Sequence, residues 1–240
     1  MSRGSTVAHL FFGSALAAVL ASAQSQYLGS ISAQALSHPI SRKANKALQK
    51  VTDSYLAGDD SGVQTQLQRA IEMPEAAPYA LKMKGLLDLN RKDFPAAQSE
   101  LTQAAVALPW DAEARALLGY VFYCAGDSTE AETAAYKSLE VDPNQPLAHL
   151  VIGLVQWEAK RLDAGLQHLK TAATFGFLPA QVLLAKYYER SRQPELAAEE
   201  WRLAEKDLRQ IPDRRVRQDT ETWLESHRDF RQALSPGAIK

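Results

Sequence analysis

Three stretches of the chain, LKMKGLLDL, LLGYVFYCA and HLVIGLVQW, carry apolar residues at helical spacing, returning every third or fourth position. Short polar stretches, NRKD, GDS and AKRLD, follow them. After each comes a second apolar-periodic block, so the pattern predicts a helix, a tight turn and a second helix, several times over. Each first block contains a glycine, Gly85, Gly119 and Gly153, and these lie 34 residues apart. A glycine inside a helix costs roughly 1 kcal/mol relative to alanine. Its recurrence at a fixed period supplies the reason: a small residue at that place lets a neighbouring helix come close.

Other positions keep the same period. Twelve residues after each glycine stand Ala97, Ala131 and Gly165, and nineteen after stand Ala104, Ser138 and Ala172. Pro109 and Pro143 close two of the units, and Phe177 takes that place in the third. Downstream, Ala185 in VLLAKYYER replaces the glycine after a step of 32, followed by Ala197, Trp201 and Ala204. Upstream, Val51 falls at the matching place, followed by Val63, Leu67 and Ala70, and Gly58-Asp59 aligns with Gly126-Asp127. A single helix pair cannot bury its own apolar face, so such units must stack.

Through Gly85, Ala97, Leu101, Ala104 and Pro109, then Leu118-Gly119, Phe122, Ala131, Ser138 and Pro143, then Ile152-Gly153, Leu169 and Ala172, the chain resembles the tetratricopeptide repeat family over roughly residues 42–210. Three positions depart from the family pattern. Ala135 stands where a large residue is usual, with Tyr136 beside it, and Asp88 and Gln156 occupy usually apolar places. At the last boundary, Ala172-Ala173, Gly176, Ala180-Gln181 and Tyr187-Tyr188 are similar to the related Sel1-type repeat. The resemblance implies an all-α fold, a right-handed superhelical solenoid of about five helical hairpins. The units would be residues 44–77, 78–111, 112–145, 146–177 and 178–211. Residues 212–234, with Val216, Trp223, Leu224, Phe230 and Leu234 at helical spacing, predict a C-terminal capping helix, and 235–240 a tail. Pro39 precedes the first helix, with Ser41 as its expected N-cap.

The first 23 residues break the pattern: one arginine, no acidic residue, then an apolar run from Val7 ending in Ala21-Ser22-Ala23. This predicts a secretory signal cleaved before Gln24, with residues 24–38 as a flexible leader, and hence an exported, periplasmic or extracellular protein. The alternative is an uncleaved membrane anchor, although the run is short of the roughly 20 residues a span needs. No cysteine follows the run, which argues against a lipid-modified anchor.

Charge and chemistry narrow the function. Lys and Arg number 27 against 28 Asp and Glu, so no basic excess exists to neutralise a nucleic-acid backbone. The motifs of metalloproteases, hydrolases, nucleotide binders and redox enzymes are absent from the sequence, and no enzyme or cofactor is expected. His149 and His168 fall on opposite helices of one hairpin and could meet, but the expectation is two surface or groove histidines and no metal site. Asp59-Asp60-Ser61 is expected to cap a helix rather than bind calcium. The single cysteine, Cys124, has no basic sequence neighbour, and is expected to pack rather than react.

The resemblance places a concave groove on the first helices, where family members bind peptides or partner helices. Its matching positions are Tyr79, Lys82 and Leu86, then Tyr120 and Tyr123 beside Cys124, then Leu150, Leu154 and Trp157, and finally Lys186 and Arg190. Where one family mode uses asparagines to grip a C-terminal carboxylate, this chain has Leu86, Tyr120 and Leu154, so that clamp is not expected. An apolar groove suits an amphipathic helix or an extended apolar segment. The expected function is a non-enzymatic interaction scaffold of the bacterial cell envelope. A membrane-tethered assembly factor is the alternative, and the same face could instead be covered by the C-terminal helix or the leader.

Overall fold

The structure is a computed structural model that describes residues 38–211 and 213–233, with side chains up to residue 225. The expected signal, most of the leader and the tail lie outside the described residues, as do the side chains of Phe230 and Leu234. Eleven helices make up all the regular structure among the described residues. They are α1 (Arg42–Ala57), α2 (Asp60–Ile71), α3 (Ala77–Asn90), α4 (Phe94–Ala107), α5 (Ala112–Ala125), α6 (Ser128–Val141), α7 (Pro146–Glu158), α8 (Leu162–Thr174), α9 (Leu178–Arg190), α10 (Pro194–Arg209) and α11 (Arg214–Ala233). None of the described helices is long and apolar enough to cross a membrane.

Helices pair as antiparallel hairpins in chain order, α1 with α2, α3 with α4, α5 with α6, and α9 with α10. Successive hairpins stack: α2 meets α3, α4 meets α5, and α7 lies against both α5 and α6. The chain divides into two compact units, one running to His168 and the other beginning at Leu169, so the division falls inside α8.

Each hairpin turn is built on one residue in the left-handed region. These are Gly58 (φ 75°), Lys92 (62°), Gly126 (87°), Lys160 (62°) and Arg192 (58°). The next residue closes each turn identically. The N–H groups of Asp59, Asp93, Asp127, Arg161 and Gln193 donate to the carbonyls of Ser54, Asp88, Phe122, Gln156 and Tyr188. This is the six-residue closure of a Schellman C-cap, and it satisfies a carbonyl the ending helix leaves without a partner. In the first three turns the closing aspartate also caps the next helix, its carboxylate accepting from Gly62, Ala96 and Glu130 N–H. Asp59 therefore caps α2.

The small positions have the expected physical cause. A Cβ on Gly119 would lie 3.1 Å from the Ala131 carbonyl oxygen and 3.2 Å from the Ala135 nitrogen, so α5 runs almost against the backbone of α6. A Cβ on Gly165 would lie 2.8 Å from the Gly153 carbonyl oxygen, so in the next hairpin two glycines face each other. Ser138, fully buried, donates its hydroxyl to the Ala112 carbonyl at 2.6 Å, tying α6 to the start of α5.

The polar departures find partners within a hairpin in one case and between hairpins in the other. Asp88 is buried between Lys84 and Arg91, and Lys84 also reaches Glu100 of α4. Gln156 donates to the Tyr136 hydroxyl at 3.3 Å, so the tyrosine beside Ala135 supplies its partner. The least regular unit has a core of its own, in which Val51, Val63, Leu67 and Ala70 pack with Ala76 and Ala80. Ser41 caps α1, accepting from Ala44 N–H. Beyond α10, Asp213 caps α11, which packs against α10 and buries Val216, Thr220, Trp223 and Leu224.

Candidate functional site

In the unit ending at His168, the expected groove positions lie on α3, α5 and α7, the first helices of three successive hairpins. Tyr79, Leu86 and Trp157 are half-buried. Tyr120, Tyr123, Leu150 and Leu154 are buried, with Tyr120 only 2% exposed. Every residue of α7 from Leu147 to Gln156 is buried, so this helix is covered on all sides, mostly by apolar packing, with His149 and Gln156 as its buried polar residues. The accessible part of the face is its rim, and its centre is packed.

Lys82 is not a free cation at the mouth of a groove. It is 4% exposed, and its ammonium donates to Asp111 Oδ2 at 2.6 Å and Glu113 Oε2 at 3.1 Å. Asp111 is the N-cap of α5, its other oxygen accepting from Ala114 N–H at 3.1 Å, and Glu113 sits in the first turn of α5. Lys82 thus pins α3 to the N-terminus of the next first helix. Burial works to discharge the ammonium, but the two carboxylates outweigh it and raise its pKa. Burial raises Glu113 despite the opposing pull of Lys82. Tyr79 also has its pKa raised, chiefly by burial, while a hydrogen bond from the Trp110 side chain works the other way. Trp110 in turn stacks on His38, their ring centres 3.7 Å apart.

The tyrosines of α5 are tied by polar contacts. Tyr123 donates its hydroxyl to Glu158 Oε1 of α7 at 2.6 Å, and its pKa is raised, first by burial and then by that bond. Tyr120, one helical turn before Cys124, shares a hydrogen bond with it, and burial raises the Tyr120 pKa strongly. Burial pushes the Cys124 thiol up to about 12, slightly opposed by the Tyr120 bond. Its thiolate fraction at neutral pH is minute, the opposite of what nucleophilic chemistry requires.

His149 and His168 do meet; His149 is buried and His168 half-buried. Their Nδ1 atoms are 2.9 Å apart, across the α7–α8 hairpin. Among the described residues no third ligand joins them in a metal-binding group.

The remaining two positions belong to the second unit, on α9. Arg190 is exposed and Lys186 half-buried. Burial draws Lys186 down to about 8, with Glu189 opposing. Glu189 also accepts from the Trp201 indole at 3.0 Å.

Reading the sequence alone misses the partners of these groups. Glu158 lies 35 residues after Tyr123, one period plus one, and Asp111 and Glu113 lie 29 and 31 after Lys82. A search for opposite charges or acceptors near one repeat length along the chain finds all three.

No protein-family model matches the chain, and no curated protein matches its sequence. Several solved structures are similar. PilW, a type IV pilus biogenesis factor, superposes with a TM-score of 0.57 at 18% identity, over 83% of this chain and 97% of PilW. PilF of Pseudomonas aeruginosa gives 0.52 at 17% identity, over 75% of this chain and 79% of PilF. YrrB, a TPR protein with an unusual peptide-binding site, gives 0.45 at 17% identity, over 75% and 90%. At such identities the likeness to PilW and PilF is one of fold, and together with the 34-residue period of the hairpins and their common turn it shows a tetratricopeptide-type fold of paired helices among the described residues.

Proposed function

We propose that this protein is a non-enzymatic interaction scaffold of the bacterial cell envelope that holds a partner peptide or amphipathic helix on its first-helix face. The observation that carries this reading is the chemistry of that face. Its accessible rim is aliphatic and aromatic at Leu86, Tyr79 and Trp157, with Tyr120 and Leu154 packed beneath, and the buried cation Lys82 is committed to Asp111 and Glu113. Such a surface offers apolar area with a few fixed polar groups, which selects an apolar helix face over a charged chain end. The thiol, its pKa pushed up to about 12, supports a packing role for Cys124. The pilus biogenesis role of the similarly folded PilW makes the envelope the compartment to test first.

The test uses the full chain in its native host, with a photoreactive phenylalanine analogue placed at Leu86, at Trp157 or at the exposed Val106 of α4. The expected result is one shared adduct from the first two sites and none from Val106, with the Trp157 adduct lost in a Leu86→Glu background. Equal adducts from Val106, or none from the first-helix sites, would overturn the reading. The half-buried positions are chosen because truncating Tyr120 would report on folding as much as on binding.

A further inference from the structure

The histidine pair carries an inference that the scaffold reading does not use. His149 Nε2 lies 2.9 Å from the Pro143 carbonyl oxygen. A carbonyl only accepts, so the His149 proton resides on Nε2 and its Nδ1 presents a lone pair. The Nδ1 of His168, 2.9 Å away, must then donate, leaving the His168 lone pair on Nε2. One backbone carbonyl thereby fixes both tautomers. The rings meet nitrogen to nitrogen, with centres 5.2 Å apart. Two nitrogens on one tetrahedral ion, each about 2.0–2.1 Å from it, stand further apart than this, so a proton and not a metal fills the gap.

We propose that His149 and His168 form a proton-operated latch between α7 and α8, closed while the pair carries at most one added proton and released when both imidazoles are charged. One added proton leaves the bridge intact, with either ring donating its Nδ1–H to the other, and the bond survives as a charge-assisted one. A second proton leaves an N–H on both facing Nδ1 atoms. It would set N–H against N–H and charge against charge in a pocket where His149 is 9% exposed.

The surrounding charges leave this logic intact. Glu132 of α6 is the carboxylate that favours a charged His168, and it is partly neutralised by Arg161 at 3.2 Å. Asp142, next to Pro143, accepts from Asn144 N–H. On α5, Glu113 is held by Lys82 and Arg115 points to the Asp111 carbonyl. On α7 itself, Glu158 is taken by Tyr123. Burial, then His149, together outweigh Glu132 and lower the His168 pKa below 6.5. The unfolded chain therefore takes the proton first as pH falls. The contribution to stability is complete above about 6.5 and is withdrawn as pH drops through the lowered value.

Two measurements on the full chain test the latch. Nitrogen-15 NMR of the imidazoles at pH 7 should show the Nε2–H tautomer for His149 and Nδ1–H for His168. Denaturant midpoints between pH 7.5 and 5 should fall in wild type and fall much less in His168→Gln, which keeps a donor for His149 but cannot titrate. Parallel midpoint profiles in the two proteins would overturn the proposal. So would an Nδ1–H tautomer on His149 at pH 7, which wild type alone reports. A midpoint raised by millimolar Zn²⁺ in wild type but not in His168→Gln would replace the latch by a metal site.

Discussion

Lys160 adopts a backbone conformation (φ 62°) that glycine holds without strain, and Lys92 and Arg192 do the same in their own turns. A left-handed residue with a Cβ costs about 1–2 kcal/mol, against roughly 0.5–1 kcal/mol of extra chain entropy lost by glycine. Lys160→Gly is therefore expected to raise the denaturant midpoint by an amount equivalent to about 0.5–1 kcal/mol, with the fold unchanged. Gly165 presents the opposite case. Alanine there would gain helix propensity but would bring a Cβ to 2.8 Å from a backbone oxygen of α7, an atom that moves only with its helix. Gly165→Ala should destabilise by roughly 1–3 kcal/mol, read from the same denaturation curve. A neutral result would mean that α7 and α8 separate easily. The glycine and alanine ladder was legible in the sequence because a period needs only like residues at equal spacing. The turn cations were not, since lysine and arginine carry no sign of positive φ. Only their alignment with Gly58 and Gly126 reveals it.

At the scale of the element, the joint between α3 and α5 rests on Lys82, Asp111 and Glu113. Removing one member of a buried ion cluster leaves uncompensated charge, at a cost of about 3–5 kcal/mol when the pair is fully buried. Asp111 and Glu113 keep 13% and 18% of their side chains exposed, so about 3 kcal/mol is expected for Lys82→Met at pH 7. The sign of the pH dependence follows from Glu113. Its pKa is already raised in the folded protein, and losing the lysine raises it further. The variant's deficit should therefore grow as pH rises through the carboxylate range and shrink towards pH 4, measured as the midpoint difference from wild type. The sequence marked Lys82 as groove-lining from its place in the repeat. The side chain's commitment depends on two residues at the start of the next hairpin, Asp111 and Glu113. Similarly, Tyr120 and Tyr123 were legible as inward-facing, whereas their burial depends on neighbours that no single helix pattern contains.

For the whole molecule, stability in a repeat array is the sum of units and of the contacts between nearest neighbours, and the ends need covers. Helix α11 packs against α10 and buries Val216, Trp223 and Leu224 while its remaining described face is largely exposed, and we propose it as one such cover. A chain ending before Arg214 should melt at lower temperature and scatter light at lower concentration than the full chain. Equal melting temperatures would show that α10 closes the array by itself. The fold as a whole was the most legible level, because every hairpin repeats the same instruction. The chemistry was the least legible, because each polar partnership occurs once.

The shared turn also sets where the folded chain is open to attack. Lys92, Lys160 and Arg192 are exposed, and each sits at the tip of a hairpin rather than within a helix. Trypsin, which cuts after such residues, is expected to find the folded chain marked like a ruler, with tip sites 68 and then 32 residues apart (160 − 92 and 192 − 160). The glycine tips at Gly58 and Gly126 should be passed over. Mass spectrometry of a brief digest would read that spacing directly, and early fragments ending at lysines or arginines within the described helices would show that helices, not tips, open first. A proteolytic pattern is thus a footprint of repeat architecture, obtainable without crystals from a few micrograms of protein.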